Sequence, residues 1–382
     1  MMTDHYIQWK SATGIRKAIL AGAGPGRGAI GVTYFTRLAY RRELNAPGWF
    51  RVDLPAALPT LIGMADRDHV EVYRRDKNAG IAWTVDFHGI FRDEAIIDDR
   101  TTGHETFQAS GPGALARLSN YHVLWPANTA NRTSFSSVSA ETILKTLISY
   151  NAVTALATAA NGRDRSAPDY GISVQADSAG GAVLTLATGE RKNLLSVLQD
   201  IQPIAGGDFD LVKIAANNWQ FQFYPGQRGT DRRGTLLFSK QLGNMANVRY
   251  ERMRSRERTV AAVAGQGEET ARRVIIRTGP NWSASNDNET LVNATDVKPG
   301  ANETAQLSAK GDAMLAELEA RAVFAFDILQ TESCRYGRDF FLGDLAQAYH
   351  PQIGTIDIQI TAIEVEYTPG DGERLTVEVA IR

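Results

Sequence analysis

Four arginines, Arg252, Arg254, Arg256 and Arg258, share one parity, with Glu251, Met253, Ser255 and Glu257 between them. Alternate side chains of a strand point the same way, so this spacing predicts a row of guanidinium groups on one face. Such a row suits an acidic partner or a phosphate backbone. It serves equally to keep an exposed sheet edge soluble, and the two glutamates offset part of its charge. These four residues are the candidate interface.

Other residue types offer less. The six histidines, His5, His69, His88, His104, His122 and His350, include no i, i+4 pair, so no helical zinc motif is present. Cys334 with His350 would supply a thiol–imidazole pair, but a lone cysteine among strands also reads as a small buried hydrophobe. Asp93-Glu94 and Asp98-Asp99 read as solvated charges in a turn-like stretch rather than as the opposed carboxylates of glycoside hydrolysis. The glycine-rich run 22–28 lacks the Gly-Lys-Ser/Thr of a phosphate loop and leads into β-branched and aromatic residues, so it reads as a flexible or partner-ordered loop. No Gly-x-Ser-x-Gly elbow occurs. The expectation is a chain with no catalytic, cofactor-binding or metal-ligating residues.

The elements that would position these groups can be read from periodicity. The 382 residues allow two to four domains, and 43% hydrophobic content is enough to bury real cores. A net charge of −2 argues against a dedicated nucleic-acid binder. One cysteine excludes an internal disulfide framework. No apolar run reaches the ~20 residues of a membrane span, and the N-terminus has no secretory pattern, so synthesis and folding in a cytoplasm are expected.

Strands are expected near 32–35, 49–52, 69–74 and 81–91, the last with Ile81, Trp83, Val85 and Phe87 on one face. After Gly111-Pro112-Gly113 comes a short helix over 114–120, then a polar loop over 128–137. A helix follows with Ser139 as N-cap and Ile143, Leu144, Leu147 and Ile148 on its apolar side. Past a loop over 161–168, a hairpin is expected over 172–186, turning at Ser178-Ala179-Gly180-Gly181. A second helix carries Leu194, Leu195, Leu198 and Ile201, and a second hairpin turns at Asn217-Asn218 with Trp219, Phe221 and Phe223 returning. Strands near 234–238 and 246–254 precede a polar loop over 281–303, a helix over 304–322, and a final strand pair joined by Pro369-Gly370-Asp371-Gly372. Residues 189–269 thus combine sharply specified elements with no visible chemistry, a pattern that suits assembly. The fold class expected is β-rich α+β.

The order of motifs resembles the tail hub proteins of long-tailed bacteriophages, which are similar in fold to the baseplate hub of contractile phages. It runs from NAPGWFRVDLP through SAETILKTLI, Lys192-Asn193-Leu194-Leu195, Trp219-x-Phe221 and Phe238-Ser239-x-x-Leu242-Gly243-Asn244. Gly265-Gln266-Gly267-Glu268, Tyr336-Gly337, Leu342-Gly343-Asp344 and the last hairpin complete it. More basic residues stand at 226–233 than the pattern has. The resemblance implies two tube-type antiparallel β-barrel domains, 1–113 and 236–382, the latter with the polar loop, flanking a mixed α/β module at 114–235. It further implies a homotrimer at the tail tip of a virion, joined to the distal tail or tail tube ring. The implied neighbours are the tape-measure protein and tip fibre or spike proteins, with DNA passing unread and no insertion into a membrane. A stop at the last strand implies that lytic and receptor functions sit on other subunits. A tail-associated cell-wall hydrolase and a host carbohydrate-binding module, whose candidate aromatics are Trp49, Trp83, Trp125, Trp219 and Trp282, are the alternatives.

Overall fold

A computed structural model describes residues 3–22, 33–99, 104–124, 134–153, 171–188, 192–352 and 354–382. The first third contains β1 (Thr3–Lys10), β2 (Arg16–Gly22), β3 (Thr33–Phe35), β4 (Arg37–Glu43), β5 (Trp49–Pro55), α1 (Leu58–Ile62), β6 (His69–Asp76), β7 (Ile81–Ile90), β8 (Asp93–Asp99) and β9 (His104–Pro112). The middle contains β10 (Ser134–Ser139), α2 (Ala140–Ala152), β11 (Ile172–Val174), β12 (Val183–Ala187), α3 (Leu194–Ala205), β13 (Gly207–Ala215) and β14 (Asn218–Pro225). The last third contains β15 (Leu237–Ser239), β16 (Met245–Met253), β17 (Val260–Ala264), β18 (Val274–Thr278), β19 (Glu289–Asn293), α4 (Glu303–Glu317), β20 (Arg321–Ile328), β21 (Leu345–His350), β22 (Gly354–Thr368) and β23 (Gly372–Ile381).

Both ends of the chain build one ten-stranded sheet. Its main path runs β16-β20-β23-β22-β4-β5-β9-β8, and β21 pairs with β22 and β15 beside it. The seam is the antiparallel pair β22–β4, where Val365 faces Tyr40 and Ile363 faces Arg42. A second sheet, β3-β2-β1-β6-β7, packs against it. The shared core includes Trp9, Phe35, Tyr40 and Phe50 from the first third and Phe238, Phe324, Phe326 and Phe340 from the last, each at most 1% exposed. The turn of the NAPG motif is set by backbone: Gly48 has φ +62°, and a Cβ there would stand 2.0 Å from the Arg41 carbonyl oxygen.

The middle module has its own core. Ser139 Oγ accepts from the Thr142 amide, as a cap should. Ile143, Leu144, Leu147 and Ile148 are then fully buried against Leu194, Leu198, Phe209 and Trp219. Burying each such side chain contributes about 1.5–3 kcal/mol. The hairpin of β13 and β14 forms as expected, with Trp219, Phe221 and Phe223 inward. Asp208 ties this module to the large sheet by accepting from Asn45 Nδ2 at 2.9 Å and Gln359 Nε2 at 3.1 Å.

Several expectations are corrected. The 172–186 hairpin does not form: β11 runs parallel to β14, while β12 pairs with β10. Strand β10 takes up part of the expected loop at 128–137, whose residues 128–133 lie outside the described set. So do 23–28 of the glycine run, 161–168 and Trp125. The polar stretch 281–303 contains β19, which with β17 and β18 forms a small sheet covered by α4. Its strands are too short and too polar at their flanks to show a period. Helix α4 ends at Glu317, because the chain must turn into β20 at Arg321. Strands β1 and β2 form within the first 22 residues, where the sequence pattern predicts no element. On β7, Phe87 is buried but Trp83 and Val85 are 37% and 39% exposed, because the pairing with β6 shifts register between Val85 and Phe87: Phe87 stands opposite core residue Val72, whereas Val85 stands opposite Tyr73, so the expected single face is broken.

Candidate interface and buried charge network

The arginine row is not a strand face. Strand β16 ends at Met253, so Arg252 lies on it while Arg254, Arg256 and Arg258 follow in a turn and an extended link to β17. A backbone hydrogen bond from the Glu257 amide to the Arg254 carbonyl closes that turn. Arg252, Arg254 and Arg256 are exposed, and Arg258 is half-buried with its Nη1 donating to the Glu257 carbonyl at 2.9 Å. The parity pattern persisted past the strand because nothing in it marks where pairing with β20 stops.

The acid pairs also stand elsewhere than expected. Asp93, Glu94 and Asp98 lie on β8, an outer strand of the large sheet, and all three are exposed. Cys334 is 1% exposed, and burial, helped by the Asp339 carboxylate, pushes its thiol up to about 12. A thiol held protonated in this way is no nucleophile at neutral pH. His350 ends β21, with its Nδ1 accepting from the Gln352 amide. Among the described residues no group of three or more His, Cys, Asp or Glu could hold a metal ion.

The tertiary structure assembles a buried charge network that sequence spacing did not reveal. Arg74 on β6 grips Glu373 on β23 in a fork, at 2.6 and 2.8 Å, with both side chains at most 3% exposed. Gln330 Nε2 donates to the same carboxylate at 2.7 Å, and His5 Nε2 lies 3.3 Å from it. Alongside, Asp86 on β7 accepts from Tyr40 and Tyr336 hydroxyls, each at 2.6 Å, and pairs with Arg42 at 2.8 Å. Burial drives the tyrosine hydroxyls of Tyr40 and Tyr336 upward, so both remain donors. A second node is Glu71, bonded to Lys10 and to Lys213 at 2.5 Å each. Burial would raise its pKa, but the two ammonium donors hold it down to about 2. These contacts span up to 299 residues of sequence, so no local pattern could announce them.

Around the second node three rings meet. His69 and His88 stand edge-on to Trp219 at 5.9 and 5.3 Å. Burial lowers both histidines to about 4, with Lys213 adding to it. His5, lowered to about 4 by burial, belongs to the first node. These groups spend their charge on one another, beside a cavity of about 210 Å³ lined by Arg42, Asp86, His88 and Lys213 among others, and their chemistry is that of a clamp: they bind the five-stranded sheet to the large sheet and the middle module.

Two surface features remain. A groove of about 590 Å³ lies between α3 and α4, lined by Leu186, Ile201, Leu291, Lys310 and Met314 among others. On the five-stranded sheet, Tyr6 stacks on Tyr73 at 4.4 Å and meets Trp83 edge-on at 4.6 Å, with Arg75 over the indole at 4.4 Å.

Comparisons with known proteins bear on this architecture. The family model described as Siphovirus ReqiPepy6 Gp37-like protein matches residues 27–380. No curated protein matches the sequence. The structure is similar to the 43 kDa tail protein of prophage MuSo2 from Shewanella oneidensis, with a TM-score of 0.58 at 11% identity over 99% of this chain and 98% of that one. A tail protein from Neisseria meningitidis MC58 gives a TM-score of 0.55 at 11% identity, over 100% and 96%. A chain of the PdpA–VgrG complex gives 0.51 at 9% identity, over 100% of this chain and 65% of that one. The β-rich α+β class read from the sequence is the observed one, and the fold is similar to that of phage tail proteins.

Proposed function

The chain belongs to the siphovirus ReqiPepy6 Gp37-like family of phage tail proteins, and from that premise we propose that it is the structural hub of the tail tip. In this reading it is a homotrimeric adaptor that seats on the distal tail or tail tube ring and lines the channel. Tape-measure protein and then DNA pass through it without sequence readout, and fibre or spike proteins attach beyond it. The observation that carries the reading is the large sheet, which draws strands from both ends of the chain into one surface with an outer strand at each end, β8 and β16. A heterologous ring is one way to complete such a surface, because each copy offers the next a different edge. The buried network supports it as well: a tube wall under load gains from sheets fastened by desolvated, fully bonded charges. In this reading residues 114–235 are one module of the hub, and 1–113 and 236–382 are the two halves that meet in its large sheet.

The test is the mass of the purified chain by light scattering, together with a map of the tail tip. A trimer of the 41.7 kDa chain, placed on the axis below the tube, is the expected result. A strictly monomeric chain absent from the tip would overturn the reading. The Tyr73–Tyr6–Trp83 platform favours a second reading, host-wall carbohydrate binding by ring stacking. Quenching of tryptophan fluorescence by wall glycans, lost in Trp83→Ala, would support it.

A further inference from the structure

We infer that β8 of one copy adds antiparallel to β16 of the next, so that the ten-stranded sheet continues from subunit to subunit. The inference rests on the ring proposed above and names the surfaces that close it.

Three observations point to this pairing. First, β8 and β16 are the terminal strands of the sheet path, so among the described residues each has a row of backbone groups with no strand beside it. Second, both edges expose apolar side chains: Ile96 is 69% and Ile97 44% exposed on β8, and Tyr250 is 38% and Met253 46% exposed on β16. Third, the two edges have opposite charge. Strand β8 reads DEAIIDD, four carboxylates and no base. The basic side is β16 and the link after it: residues 249–258 hold five arginines against Glu251 and Glu257, with Arg249 and Arg252 on the strand and Arg254, Arg256 and Arg258 just past its end. Like charges directly opposite destabilise a strand pair, so the four carboxylates of β8 disfavour a second β8 beside it. The acidic edge of one copy meeting the basic stretch of another is the charge-complementary arrangement, which favours a heterologous contact over a two-fold one.

Direction and register follow from the sheet itself. Seven antiparallel pairings separate β16 from β8, so the two run in opposite directions. A copy rotated about an axis lying along the strands therefore presents its β16 antiparallel to the first copy's β8. Ile96 sits opposite core residue Phe107, and Tyr250 packs edge-on to core residue Phe324 at 6.3 Å, so both lie on the core side of the sheet. Placing Ile96 against Tyr250 sets Glu94 against Arg252, joining apolar to apolar and acid to base.

The experiment mixes two full-length single variants, Glu94→Cys and Arg252→Cys, under mild oxidation. A covalent dimer should form in the mixture and in neither variant alone; Cys334, 1% exposed, does not compete. In parallel, Glu94→Arg should weaken self-association about five-fold per interface, and adding Arg252→Glu should restore it. High salt should weaken the native contact, as it screens exposed charges. A wild-type trimer that neither cross-links in the mixture nor responds to Glu94→Arg overturns this pairing and leaves the ring standing. A chain monomeric at every concentration overturns this pairing, and its absence from the tail tip as well overturns both.

Discussion

At the scale of single residues, buried charge decides stability here. Glu373 holds Arg74, Gln330 and His5 together where water does not reach. Glu373→Ala strands a buried guanidinium, and a loss of about 3–5 kcal/mol is expected in urea denaturation. Replacing Arg74 and Glu373 together by Met and Leu should cost far less, because the desolvation penalty goes with the charges. A double change as damaging as the single one would show that the fork does more than satisfy itself. Cys334, with its thiol pushed up to about 12, should react with thiol reagents only after the chain unfolds. Rapid labelling of the native protein would contradict the burial described.

At the scale of elements, α2 and α4 show how local signals and packing divide the work. Ser139→Ala removes the cap of α2 and should lower stability by about 1 kcal/mol. Helix α4 depends on closeness instead. A Cβ at Gly311 would stand 2.7 Å from Val263 Cγ2 and from Arg277 Cγ, so the glycine lets the helix lie flat on β17. Gly311→Val should therefore loosen α4 from its sheet and raise protease cleavage in 289–317, although valine favours a helix slightly over glycine. Unchanged cleavage would mean that the sheet yields to the larger side chain.

At the scale of the whole molecule, three buried histidines predict how stability follows pH. His5, His69 and His88 each titrate near 4 when folded, because burial penalises the charged ring, against about 6.5 when unfolded. Above pH 6.5 they are neutral in both states and contribute nothing to the pH slope. As pH falls from 6.5 to 4 the unfolded chain takes up protons first, so stability declines through that window. The decline is on the order of 3 kcal/mol for His5 and for His69, and less for His88, which is partly exposed. Urea midpoints at pH 7, 5.5 and 4.5 measure it, and the double variant His5→Phe, His69→Phe should flatten it. A midpoint constant from pH 7 to 4.5 in the native chain would contradict the burial of these rings. The clamp they belong to fastens both sheets and the middle module, so the loss should appear as one cooperative transition.

Much of the molecule was legible from sequence because the signals are local. The apolar stripe of α2 with its serine cap, the alternation in β14, and the inward Ile358, Ile360, Val377 and Val379 of the last hairpin all follow from period and turn chemistry. The arginines were visible as a charged set, but the end of β16 was not, since it depends on where β20 ceases to pair. The partners of β11 and β12 were misread because adjacent strands joined by a turn suggest a hairpin, whereas the packed α2 and α3 place β14 and β10 beside them. The Arg74–Glu373 fork, the Asp86 node and the meeting of β4 with β22 join residues hundreds of positions apart. Sequence by itself determined the strongly periodic elements, α2, α3, β14 and the last hairpin, with their apolar faces, because those depend on neighbours along the chain. Only the tertiary structure decided that both ends share one sheet with an acidic edge and a basic one, because pairing energy depends on neighbours in space.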